Sequence, residues 1–388
     1  SLLRAVNSDG LGYLFTNIDR ESFEVIDNYT LKFSLYSIDP TVLMSLCHTA
    51  ASIVSANDTK PKVDGKTSLN LEPVGTGPFK IKTITEGKII LERFDNYHGT
   101  LPYFRFIKFI SEERTSRRLS ALANGNADII CNISTLEIDE CKKNTNLKVL
   151  SIQGFGAEYL GMNMRTFPLD NINVRRAIAK GIDVQLINQT ISNGFYESAS
   201  SPYPPIIPYS IANTRQIERR DVEGARQLLA EAGYPEGLNL TLTIAESFER
   251  MEMASKIKDQ LWRIGINLDM KVLEWEDFLD EIVGDKLQLF LMGYSPDLPD
   301  PDSALCDYFH SASERENGNF IGCADDELDS LIEEGSSTTD EKQREIIYKK
   351  AQERIMDIVP AVFMYYDKIS LVMLRPVSYT HLRAHETG

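Results

Sequence analysis

The chain predicts an α/β fold with two cores, and three observations predict it. From Leu238 to Leu305, strand-like alternation and helix-like periodicity succeed one another, the order that lays helices against a sheet. A continuous apolar run, Leu287 to Met292, reads as a buried strand that empties into Gly293, Tyr294 and a loop rich in Pro and Asp. With 388 residues, 42% hydrophobic and 25% charged, the chain is long enough for two cores.

Near the start, Phe23 to Ile26 and Thr30 to Tyr36 read as paired strands about a turn at Asp27-Asn28. Pro73 to Ile81 leads through a turn at Glu86-Gly87-Lys88 into Ile89 to Phe94, a hairpin whose Phe79, Ile81, Ile89 and Leu91 share one core. Gly75 and Gly77 are expected to take backbone angles closed to other residues. No Gly-Lys-Ser/Thr follows them, so a phosphate-binding loop is excluded. Ile107 to Ile110, a helix with Leu119 and Leu122, and Ala127 to Ile130 form a βαβ-like unit, with Gly125 left-handed at the helix end. Ala157 to Arg165 is a strand, and the helix after it carries Val174, Ala177, Ile178 and Ile182. A proline-rich crossing, Ser201 to Tyr209, leads to a helix capped by Asp221 and stopped at Gly233-Tyr234-Pro235. Leu240, Leu242 and Ile244 alternate as a strand; Ala254, Ile257, Leu261 and Ile264 share a helix face; Ile266, Leu268, Met270 and Val272 alternate again. The last third holds helices over Asp325 to Gly335 and Asp340 to Ile358, then a strand over Pro360 to Tyr366.

Forty-one basic and 57 acidic residues give a net charge of −16, which argues against nucleic acid and anionic membranes as partners, since both need clustered Lys and Arg. No stretch approaches the roughly 18 consecutive apolar residues of a membrane-spanning helix. The five cysteines include no Cys-x-x-Cys pair, so zinc-ribbon and thioredoxin-like readings fail. Cys131 with Cys141, and Cys306 with Cys323, each enclose a short loop; disulfides in an exported protein and free thiols both suit that spacing. The chain has no Gly-x-Ser-x-Gly elbow, no His-Glu-x-x-His and no Cys with a credible His partner, so it is not expected to be an enzyme or to carry a cofactor. His48, His98 and His310 are too scattered for a dedicated metal site.

The chemistry concentrates in the loop after Leu287 to Met292, where Asp297, Asp300 and Asp302 crowd together. A carboxylate at the mouth of an α/β cleft is placed to receive a cationic group. Asp300 and Asp302 are expected to cap a turn and the helix that follows, which sets Asp297 apart.

Several of these segments, in one order, resemble a single family. They are Pro73 to Ile81 with the Ile89 to Gly99 strand; Asn124 to Ile129; Tyr159 to Asn163 with Asn173 to Ala179; Tyr294 to Asp297 followed by Asp300-Pro301-Asp302; and Val359 to Tyr366. Over roughly residues 15 to 377 the chain resembles the family-5 extracellular solute-binding proteins, the dipeptide, oligopeptide and nickel receptors of ABC importers. The resemblance implies a two-lobed, type II periplasmic-binding-protein-like α/β fold with hinge strands, the first near Ala157 to Leu160. Residues 1–157 would be part of lobe 1 with its N-terminal portion missing, 158–358 lobe 2, and 359–377 the return to lobe 1. Residues 378–388 resemble translated sequencing-adapter sequence and are read as a non-native tail.

The implied role is a receptor that captures a peptide in an interlobe cleft and hands it to membrane permease subunits. It would be a monomer outside the cytoplasm, in the periplasm or on the outer face of the membrane, lipid-anchored through the missing N-terminus. A nickel chelate, an oligosaccharide or glutathione are alternative ligands on the same fold. The resemblance puts Asp297 on the ligand's α-ammonium group and makes Tyr294, Trp275 and Asn163 further ligand contacts. Where the family's dipeptide receptors carry an arginine near the strand at Leu240 to Ala245, this chain has Glu246, with Arg250 nearest. An acid cannot supply that fork of donors, so a longer peptide, or a ligand whose far end is not anionic, is favoured over a free dipeptide.

Overall fold

The structure, a computed structural model, describes residues 1–8, 10–55, 73–313 and 318–375; the expected tail therefore lies outside the described residues. The chain divides into two compact units. One comprises Ser1–Tyr36, Val42–Leu150 and the chain from Ser370, the other Ser37–Thr41 and Ser151–Ile369.

In the first unit, α1 (Leu2–Val6) packs Ala5 and Val6 into a small core with Phe15 and Ile18. A hairpin of β1 (Glu24–Asp27) and β2 (Thr30–Lys32) follows, and then α2 (Val42–Cys47). Asp27 closes the hairpin turn by accepting from the Tyr29 N–H at 2.7 Å and the Thr30 hydroxyl at 3.1 Å. A second, antiparallel sheet has the order β3 (Phe79–Thr85), β4 (Lys88–Arg93), β5 (Phe106–Ile110). Its β3–β4 turn uses Gly87 at φ +68°, whereas neither Gly75 nor Gly77 takes a positive φ, and a Cβ added at either would have no atom within 4 Å. The permissive backbone is thus needed at the turn itself and not before the strand. Then come α3 (Thr115–Ala123), β6 (Ile129–Cys131) and α4 (Thr135–Lys143), with Gly125 left-handed just past α3 at φ +69° as expected.

The second unit is built on a mixed sheet. Its elements are β7 (Leu147–Met162), α5 (Ile172–Gly181), α6 (Val184–Ser192), β8 (Glu197–Ser198), α7 (Val222–Glu231), β9 (Leu238–Ala245) and α8 (Phe248–Trp262). These are followed by β10 (Ile266–Leu273), α9 (Trp275–Val283), β11 (Leu289–Tyr294), α10 (Pro301–Phe309), α11 (Asp326–Ser337), α12 (Glu341–Ile358) and β12 (Ala361–Leu374). The strand order is β10-β9-β11-β7-β12, with β8 on β12; β9 runs parallel to both β10 and β11, and β11 is antiparallel to β7. The boundary between units falls inside two strands, after Leu150 in β7 and after Ile369 in β12. Beyond it, β12 pairs with β6 within the first unit.

Alternation decides how this sheet is covered. Leu289 and Leu291 of β11 enter one core with Leu160, Leu242 and helices α5 and α8, while Phe290 and Tyr294 enter a second core with Tyr159, Phe278 and helices α10 to α12. A central strand with both faces buried reads as an unbroken apolar run. Gly161 is required by close approach: a Cβ there would sit 2.4 Å from the Phe290 ring. At burial of roughly 1.5–3 kcal/mol per large apolar side chain, the two faces hold this strand far more firmly than its six residues suggest. Among the described residues no helix is long and apolar enough to cross a membrane, and all five cysteines are free thiols.

Candidate functional site

Of the three parallel strands, β9 and β10 end in register at Ala245 and Leu273, and β11, paired with β9 as far as Leu291, runs on in the same direction to Tyr294. The carboxyl ends of parallel strands are where open α/β sheets place ligands. Each strand here turns directly into a polar or aromatic segment: Glu246-Ser247-Phe248 after β9, Glu274-Trp275 after β10, and Ser295 to Asp300 after β11.

The loop after β11 is fastened at both ends. At its start Tyr294 is buried, its ring packed on Tyr308 at 4.3 Å and Tyr159 at 5.9 Å, and its hydroxyl donates to the Pro202 carbonyl. At its end Asp300 caps α10 by accepting from the Asp302 N–H at 2.8 Å, and takes a bidentate fork from Arg344 at 2.8 and 2.7 Å. The Asp300 and Arg344 side chains are 5% and 8% exposed. Asp302 accepts from the Tyr348 hydroxyl at 3.1 Å, and burial, with Asp300 beside it, pushes its carboxyl up to about 6. Two of the three loop carboxylates therefore hold the loop. Asp297, between the anchors, is exposed. Its charge raises Asp307 and Tyr308 of α10: burial and then Asp297 push Asp307 up to about 6.

Trp275 opens α9 straight after β10, 48% exposed, its ring stacked on Phe278 at 6.0 Å. Phe248 opens α8 after β9 and is 62% exposed. Nothing in the sequence singles Phe248 out, because a lone Phe beside a helix start looks like core, and only the shared strand-end edge sets it beside Trp275. Asn163 is placed elsewhere. It follows β7 beside Leu289, at the opposite end of β11 from Tyr294. Its buried amide donates to Asp285 Oδ1 at 2.6 Å and the Leu287 carbonyl at 2.9 Å, while its oxygen accepts from the Arg165 N–H at 3.2 Å. The structure thus brings Tyr294, Asp297 and Trp275 to one edge and leaves Asn163 tying a turn.

Arg250, four residues after Glu246, is not free to meet an anion. Its guanidinium forks onto Glu158 of β7 at 2.7 and 3.2 Å, with the Glu158 side chain only 6% exposed. Burial holds the Glu158 carboxyl above its ordinary value, and the Arg250 fork offsets only part of that rise. The carboxylate has room because Gly293 stands opposite: a Cβ there would lie 2.7 Å from Glu158 Oε2. Asp367 of β12 adds a second acid to the group, pushed up to about 6 by burial and then by Glu158. Among the described residues, no group of three or more His, Cys, Asp or Glu side chains is arranged to hold a metal ion.

The model of bacterial extracellular solute-binding proteins, family 5 Middle, matches residues 1–316. Heme-binding protein A of Haemophilus influenzae is 31% identical over 341 residues, covering 86% of this chain and 62% of that protein. The dipeptide-binding protein of Escherichia coli is 26% identical over 353 residues, covering 89% of this chain and 66% of that one. The chain thus spans slightly under two thirds of the length of these curated relatives. Among solved structures, the ABC transporter-associated periplasmic binding protein DppA of Helicobacter pylori, in complex with the peptide STSA, superposes with a TM-score of 0.79 at 28% identity, over 97% of this chain and 75% of that one.

Proposed function

Because the chain belongs to the bacterial extracellular solute-binding proteins of family 5, we propose that it is the substrate-binding receptor of an ABC importer and that its ligand is a peptide. In this reading it works outside the cytoplasm, hands the peptide to membrane permease subunits and catalyses no reaction. The observation that carries the reading is Asp297: an exposed carboxylate at the strand-end edge, on a loop fastened by Tyr294 on one side and the Asp300–Arg344 fork on the other.

Asp297 meets the peptide's α-ammonium group, Trp275 offers a half-exposed ring to a neighbouring part of the chain, and Tyr294 sets the loop's height over the sheet. The peptide's main chain needs no side-chain code, which makes recognition tolerant of sequence. Arg250 is committed to Glu158, so it does not serve a ligand carboxylate. That supports peptides longer than two residues, and it weighs against glutathione, which carries two carboxylates.

Thermal unfolding with di- to pentapeptides, each with a free and an acetylated N-terminus, tests this. A ligand that binds only the folded state adds about 2.7 kcal/mol at a hundredfold excess over Kd. Free-amine peptides should raise the midpoint and acetylated ones should not. Equal shifts from both would remove Asp297 from the mechanism; a shift from an oligosaccharide or a nickel chelate, with none from peptides, would replace the ligand.

A further inference from the structure

A cavity lies in the second unit, apart from the strand-end edge. It measures about 300 Å³, and Asp297, Tyr294 and Trp275 contribute nothing to it. Its floor is apolar and buried: Ile182, Val184, Val362 and Phe363 are each under 8% exposed. Its rim carries Arg176, Lys180 and Arg215, with Glu218 and Asp357.

Those three cations are unlike Arg250, Arg344 and Arg354, each of which forks onto a carboxylate with a shortest contact of 2.6 or 2.7 Å. At the cavity, Lys180 Nζ stands 3.6 Å from Asp221 and Arg215 3.7 Å from Glu218, beyond hydrogen-bond reach, and those acids are 48% and 69% exposed. Arg176 gives one N–H to the Asp357 carbonyl at 3.2 Å. Among the described residues, no carboxylate is hydrogen-bonded to any of the three. In a chain of net charge −16, cations without a carboxylate hydrogen bond at one concave site are a ready receptor for an anion.

The sheet contributes too. On the side of β12 away from β7, β8 pairs with Tyr365 and Tyr366, and the Ala199 N–H reaches the Met364 carbonyl. Beside Ala361 to Phe363 that edge has no strand partner among the described residues, and these residues line the cavity.

We propose that this cavity binds a small monocarboxylate with an apolar body. The body lies on Ile182, Val184, Val362 and Phe363, and the carboxylate takes donors from Arg176, Arg215 and Lys180. Glu218 and Asp357 share the rim and Asp221 lies 3.6 Å from Lys180, so the charges there balance, and it is the hydrogen-bond donors of the three cations beside an apolar floor that suit a small carboxylate.

Calorimetric titration of the intact chain with hexanoate, 1-hexanol and hexylamine tests this. Hexanoate should bind one saturable site, and the alcohol and the amine should not. Raising the ionic strength from about 0.02 to about 0.2 M should weaken binding. The double variant Arg176→Gln/Arg215→Gln removes two rim charges, and loss of charged hydrogen bonds should weaken hexanoate by about tenfold or more. Its unfolding midpoint, checked alongside, should stay at the wild-type value. No saturable binding of hexanoate, equal binding of hexanol, or a folded double variant that binds as well as wild type would each overturn the proposal. The outcome does not depend on whether the chain binds peptides.

Discussion

Replacing Asp300 with Ala probes how the candidate loop is held. The carboxylate accepts two hydrogen bonds from Arg344, at 2.8 and 2.7 Å, with both side chains under 10% exposed. Removing one partner of such a pair leaves a buried, uncompensated guanidinium, at a cost of about 3–5 kcal/mol. Asp300 also caps α10, which adds about 1 kcal/mol. Roughly 4–6 kcal/mol, in a unit of about 220 residues that loses about 2–4 °C per kcal/mol, lowers the midpoint by roughly 10–20 °C. Calorimetry on wild type and variant measures it. The double variant Asp300→Leu/Arg344→Met removes both charges and leaves mainly the cap loss, so it should recover more than half of the deficit. A fall below about 4 °C for the single variant, or a double variant worse than the single, would refute the claim that this pair fastens the loop.

Three further outcomes are expected. Asp297→Ala should weaken binding of free-amine peptides at least about tenfold while leaving the unliganded midpoint unchanged, because the side chain is exposed; a lowered midpoint with unchanged binding would make Asp297 structural. Arg175→Met should lower the unfolding free energy by about 3 kcal/mol in urea titration. The buried guanidinium donates to the Ile358, Val359, Leu169 and Asp170 carbonyls, and the variant orphans all four. The midpoint should also rise as pH falls from about 7 to about 5. Asp302, Asp307 and Asp367 have folded-state values of about 6, raised chiefly by burial above the ordinary 3.8. The folded state therefore binds more protons than the unfolded one in that window, and stability falls as pH rises through it. Asp302→Asn should flatten this slope, and a midpoint that climbs between pH 5 and 7 would contradict the sign.

Much of the fold was legible because it is written in short-range patterns. The alternation at Leu240 to Ile244 and at Ile266 to Val272 became β9 and β10, and Asp221 caps α7 as its position before an apolar-periodic run suggested. The misses have equally local causes. Strand β7 begins at Leu147, ten residues before the stretch that reads as strand, since Leu147 to Gly156 lacks a clean apolar alternation. Strand β12 runs on to Leu374 through Asp367 and Lys368, charges that look like a strand end when the neighbouring strands are unknown.

By itself the sequence determined the α/β class, the order of elements, the family and the position of the Asp-rich loop, because periodicity, capping and turn chemistry act over a few residues. Tertiary structure alone decided what the charged side chains do. Asp300 became an anchor through Arg344, 44 positions away, and Arg250 was withdrawn from any ligand by Glu158, 92 positions away. Asn163 was drawn into a turn with Asp285, and three cations were gathered around one cavity. A charge takes its partner from whatever the fold brings within a few ångströms, and no local pattern encodes that distance.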